Sequence, residues 1–347
     1  MENTTNYNQQ QYYYPPMQLR QEKKPLPAFV GPLVRFFVAL ITALPGLITR
    51  IINYLTFPDY FTFHEMYEEY QQYLIHTNLS TLLFNLFCLL TAGVAGFLCY
   101  RGVRGSLKFS ACLEIGFLLK SILSNILYAL LYLTDSVESL STVAEIIINN
   151  IALPIFGGIL SVITLIIINS LEKKADKKIK PATVSYDQYG NPVMPKKKQG
   201  FTVGKAAIVV FGTDLLYFLF TLIQGLIFGF TMVNIDSSLY YTITYFFYAA
   251  NNLLTIAFVS ALAFPLGKGV KNGISYIGCY GLAAFISGIL SSFINILILF
   301  IVGIKSMESA GYTIATGITS ILGNIIGIIA IIGISALIRK RKEFSEN

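Results

Sequence analysis

The sequence predicts an all-α, polytopic membrane protein. Three observations lead there. Hydrophobic residues make up 54% of the 347-residue chain, charged residues only 12%, and the apolar residues gather in long uninterrupted runs. Soluble domains carry about 25% charged residues, so this chain has too little charge to keep a soluble surface wet. A water-soluble enzyme, a nucleic-acid module and a disordered protein are excluded together.

Residues 1–28 are polar and rich in Tyr, Gln and Pro. They lack an apolar h-region and a small-residue cleavage site, so they predict a disordered cytoplasmic tail and not a signal peptide. No Gly follows Met1, and myristoylation is not indicated.

A bilayer-crossing helix needs about 20 largely apolar residues. Eight segments qualify: 30–55, 80–100, 108–133, 143–171, 205–234, 241–266, 274–304 and 312–338. The first is the weakest, because Arg35 and Arg50 flank its uncharged stretch and Pro45 lies within it. Long Arg side chains near helix ends can snorkel to the headgroups, so a span is feasible. Between the first two spans, residues 58–76 place Tyr60, Phe63, Tyr67, Tyr70 and Leu74 at helical spacing, with Glu65, Glu68 and Glu69 off that stripe. This predicts an amphipathic helix at the outer interface, serving as an aromatic belt or a lid. His64 and His76 both lie within it, twelve residues apart, too far for a metal pair.

The loops alternate in charge. One set carries Arg101, Arg104 and Lys108, then the Lys-rich stretch 172–204, then Lys268 and Lys271, then Arg339–Lys342. The other carries Asp59 and Glu65, Asp135 and Glu138, Asp236, and Lys305 with Glu308. The positive-inside rule then puts both termini in the cytoplasm, in the cell membrane. The net charge of +7 conceals this polarity: the expected inner segments hold 21 basic and 7 acidic residues, the outer ones 2 and 9. The Lys-rich linker is expected to set topology and to attract anionic lipid, with little to support nucleic-acid binding.

A shift of 167 residues aligns the halves from Asn85 to Lys174. Arg101–Arg104 falls on Lys268–Lys271, Cys112 on Cys279, Ile122–Ser124 on Ile289–Ser291 and Asn85 on Asn252. The chain therefore reads as a four-helix membrane repeat at 29–171, a linker at 172–204, a second repeat at 205–338 and a basic tail at 339–347. Four helices is an even number, so the repeats are parallel, with a pseudo-two-fold axis along the membrane normal.

Besides Arg35 and the residues near span ends, three ionisable residues fall inside predicted spans: Glu114 and Lys120 on the third, Asp214 on the fifth. Each is costly in lipid and needs a partner, water or neutralisation. Their depths from Lys108 and Lys205 are about 9, 18 and 14 Å. Lys120 and Asp214 lie at similar depth and are expected to pair if helices three and five touch. Glu114 and Lys120, six apart, do not share a helix face. A polar stripe accompanies Lys120 (Ser121, Ser124, Asn125, Tyr128), and Ser287, Ser291, Ser292 and Asn295 repeat it on helix seven. The halves are expected to present the stripes to each other, as a polar path or as helix–helix hydrogen bonds.

Small residues line helix eight (Thr313, Thr316, Ser320, Gly323, Gly327) and, more loosely, helix four (Gly157, Ser161, Thr164, with Pro154 as a kink). They suit close packing within the chain or a homo- or hetero-oligomer. The four cysteines form no CxxC and read as packing residues, with no disulfide or metal site. Usage rich in Ile, Asn, Lys and Tyr fits an AT-rich bacterial genome. HExxH, P-loop and GxSxG motifs are absent, so neither an enzyme nor a cofactor is expected. Two functions fit: a transporter or permease-like protein with a polar site between the repeats, or a non-catalytic scaffold or subunit of a membrane complex.

Overall fold

The computed structural model describes residues 30–56, 67–100, 102–134, 147–178, 202–231, 237–302 and 321–333, two short strands, and residues 144, 319 and 336. The two tails, residues 57–66 and most of the Lys-rich linker lie outside them. So do Thr313, Thr316 and Ser320.

The described chain is helical apart from one hairpin. Helix α1 spans Val30–Thr56 and contains Pro45. Helix α2 is α-helical over Tyr67–Leu90 and Gly96–Tyr100, with a π-helical turn at Thr91–Ala95 between them. Helix α3 is Val103–Leu133. A π-helical turn at Ile148–Ala152 leads into α4, Leu153–Lys178. Ser185–Tyr186 and Pro192–Val193 pair antiparallel as β1 and β2 within the linker. Helix α5 is Val203–Thr231, α6 Ser237–Gly267 and α7 Val270–Val302. A shorter apolar helix, α8, covers Ile321–Gly333.

Six of these are long and apolar enough to cross a bilayer: Gln72–Cys99, Val103–Leu133, Leu153–Ala175, Val203–Gln224, Ser238–Gly267 and Val270–Ile301. The separate interfacial helix expected over 58–76 does not end at 76. From Tyr67 onward its residues belong to α2 and run unbroken into the span. The Tyr- and Glu-rich composition marks polarity, but no helix-ending residue stands between Tyr67 and the apolar run.

Helices α3 and α7 pack against each other at the centre. Helix α3 also contacts α4 and α6, and α7 also contacts α2, α5 and α6. Helix α1 lies against α2 and α4, and α5 against α6. One apolar cluster joins Leu107 and Cys112 of α3 to Leu165, Val209, Val259 and Cys279. A second joins Val38, Cys88, Phe109, Leu113 and Phe285. Outward faces are apolar as well, with Ile301 80% and Phe300 68% exposed, as a lipid-facing surface requires.

Two tight turns set the central helices. Gly102, at φ 115°, connects α2 to α3, and Gly269, at φ 159°, connects α6 to α7. Glycine enters this region without steric cost. At the same end Lys108 hydrogen-bonds Asn169 and forms a 2.6 Å ion pair with Glu172, tying α3 to α4. At the opposite end Tyr128 stacks on Tyr245, and Tyr132 on Tyr241 at 5.0 Å between centroids. Ser238 donates to the Tyr132 carbonyl at 2.6 Å, closing a clamp between α3 and α6.

Candidate functional site

The site begins with glycine. A Cβ on Gly278 would collide with the Leu107 backbone, and one on Gly281 would lie 2.9 Å from Ser110 Oγ and 3.0 Å from the Glu114 Cβ. Helices α3 and α7 can touch here only because these side chains are missing. Beyond the contact, Phe117 meets Phe285 edge-on at 6.4 Å and tilts against Phe84 at 5.4 Å.

Between α2, α3 and α7 this leaves a cavity of about 350 Å³. Glu114, Lys120, Ser121, Ser124 and Asn85 supply its polar wall. Glu114 is buried, at 8% exposure. The stem of Lys120 passes Gly157 of α4, where a Cβ would stand 3.3 Å from its Cδ. Asn85 donates to the Thr81 carbonyl at 2.9 Å and occupies space that a side chain at Gly288 would fill. Ser121 accepts from Asn252 of α6 at 3.0 Å and from Asn125 at 3.5 Å.

The eight expected site residues separate into groups. Glu114, Lys120 and Ser124 line the cavity together. Six residues apart is off a single face, yet both side chains reach the cavity. Asn125 stands behind, bonded to Ser121. Asp214, on α5, forms no ion pair with Lys120: the one ion pair among the described residues is Lys108–Glu172. Helix α5 packs on α6 and α7, so equal depth does not make Lys120 and Asp214 neighbours. Asp214 instead lies within electrostatic range of Glu114, with its Oδ2 buried and without a hydrogen-bond partner.

The two polar stripes do not meet. Ser121 faces α6, whereas Ser287 faces Gly323 of α8 and Asn295 hydrogen-bonds Asn78 of α2 at 3.4 Å. Ser291, partly buried on α7, also lies outside the cavity. Ser121 and Asn295 each reach the opposite half of the chain, through different helices, while Ser287 packs within its own half.

Arg35 is held inside the helix bundle: it is 1% exposed, donates to the Phe109 carbonyl, and holds its guanidinium carbon 3.8 Å over the Phe109 ring centroid. The contributions of Asn85 and the three Phe side chains were not anticipated. Asn85 carried one signal, its correspondence with Asn252; the Phe side chains carried none in so apolar a chain. Among the described residues no three His, Cys, Asp or Glu side chains converge, and all four cysteines are free.

Six apolar spans around a partly open polar cavity define a multi-pass membrane protein in contact with the lipid bilayer. No family model matches the chain, and no curated protein or solved structure matches it.

Proposed function

We propose that the protein is a permease-like carrier of eight spans, built from two parallel four-helix repeats with both termini in the cytoplasm of its cell. The observation that carries the reading is the cavity of about 350 Å³ holding Glu114 and Lys120 in mid-span. An intramembrane ionisable residue points to function before structure. Two of opposite sign that line one void and do not pair strengthen that inference.

Recurring contacts support the repeat. Helix α3 packs on α6 as α7 packs on α2, and α1 lies on α2 as α5 lies on α6. Gly102 and Gly269, separated by the 167-residue shift, both take positive φ. Asn252 bonds Ser121, and Asn85 lies against Gly288, its counterpart. Gly157 borders Lys120 as Gly323 borders Ser287, one residue out of register with the shift. Helix α1, of 27 residues, and α8, described over Ile321–Gly333, complete the proposed eight.

The small-residue faces favour a carrier over an oligomerising scaffold. Gly323 and Gly327 lie against Ser287 and Ala283, and Gly116 against Ser161, so these faces are occupied within the chain.

Cysteine accessibility tests the reading. The native cysteines are replaced, Ser124→Cys is introduced, and sealed vesicles of each orientation meet a membrane-impermeant thiosulfonate. Reaction from at least one side is expected. A thiol inert from both sides would overturn the proposal.

A further inference from the structure

We infer that the cavity takes a compact, soluble zwitterion of amino-acid size, with its ammonium at Glu114 and its carboxylate at Lys120. The inference rests on the carrier reading and names its substrate class.

Charge balance comes first. Neither Glu114 nor Lys120 has an ion-pair partner among the described residues. A bare cation would relieve Glu114 and leave Lys120 facing like charge; a bare anion would do the reverse. A ligand carrying both charges compensates both groups that line the void; Asp214, within electrostatic range of Glu114, is not among the lining residues.

The lining agrees. Ser121, Ser124 and Asn85 offer neutral hydrogen-bonding groups to the same void, and Phe84, Phe117 and Phe285 form its apolar wall. At about 350 Å³ the cavity lies near the small end of ligand pockets, which excludes peptides and sugars of several units.

Depth separates a soluble ligand from a lipid headgroup of the same chemistry. Helix α3 has 31 residues. Glu114 and Lys120 stand about 16 and 26 Å along its length of about 46 Å, inside both ends of the helix, whereas headgroups lie at the surface.

Thermal unfolding of the full chain in detergent tests this. The probes are L-leucine, leucinamide, which lacks the carboxylate, N-acetyl-leucine, which lacks the ammonium, and phosphatidylethanolamine vesicles. L-leucine is expected to raise Tm with concentration. Each singly charged analogue should need at least about tenfold more for the same shift, because it leaves one site charge unpaired. Glu114→Gln should abolish discrimination against N-acetyl-leucine, and Lys120→Met discrimination against leucinamide. Should either variant fail to fold, the comparison in the unaltered protein decides.

Equal shifts by leucine and both analogues overturn the inference. So does an absence of response to leucine, glycine and phenylalanine, or stabilisation by phosphatidylethanolamine alone. A reactive thiol at position 124 with no zwitterion response removes the substrate class and leaves the carrier; an inert thiol removes both.

Discussion

Glycine at 278 and 281 determines how closely the two central helices approach. At Gly278 the obstacle to a side chain is the Leu107 backbone, which cannot swing aside as a flexible side chain would. Gly278→Leu is therefore expected to lower stability by at least about 3 kcal/mol, the upper range for overpacking. Gly93 has nothing within 4 Å of its would-be Cβ, so Gly93→Ala should change stability by less than about 1 kcal/mol. Thermal unfolding of both variants in one detergent checks the contrast. Gly281 also explains an asymmetry. It faces Glu114 across the helix contact, so a side chain at one position requires its near-absence at the other. In the sequence this appears only as a charge without a counterpart, because the steric relation needs the helix crossing. The GxxxG pattern drew attention to Gly323 and Gly327, while Gly278 and Gly281, three apart, escaped it.

Single helices were the most legible level. An apolar run of sufficient length in lipid has little choice but to become helical, since unsatisfied backbone groups are not tolerated there. The second span was misjudged at its start because hydropathy reports where the apolar run begins, and α2 begins earlier, at Tyr67. The Lys120–Asp214 pair failed for a related reason: sequence gives depth along each axis but not which helices are neighbours. Helix α3 is instead tied to α4 by Lys108, whose Glu172 partner lies 2.6 Å away with both side chains less than one-fifth exposed. A double-mutant cycle of Lys108→Gln and Glu172→Gln is expected to give a coupling of about 0.5–1 kcal/mol that shrinks with salt, as for ion pairs that remain wetted. Coupling that does not respond to salt would show the pair to be sealed from water.

Across the whole molecule, charge alternation was the strongest sequence signal, and it makes a direct prediction. A fluorescent protein fused after Asn347 should mature and fluoresce, and an export-dependent phosphatase fused within 135–141 should be active. The opposite result for either fusion would reverse the proposed orientation. The cavity, by contrast, was only half legible. Its charges stand out in an apolar chain, but its Phe wall is hidden among 26 phenylalanines, and its position depends on where α3 and α7 part.

The turns at Gly102 and Gly269 constrain how such a cavity opens. Arg101 and Gly102 are all that lies between α2 and α3, and Lys268 and Gly269 all that lies between α6 and α7. With links this short, neither pair can spread at the basic end. On the carrier reading proposed above, opening at that side would move the α2–α3 hairpin as one lever against the α6–α7 hairpin, with the glycine crossing of α3 and α7 as fulcrum.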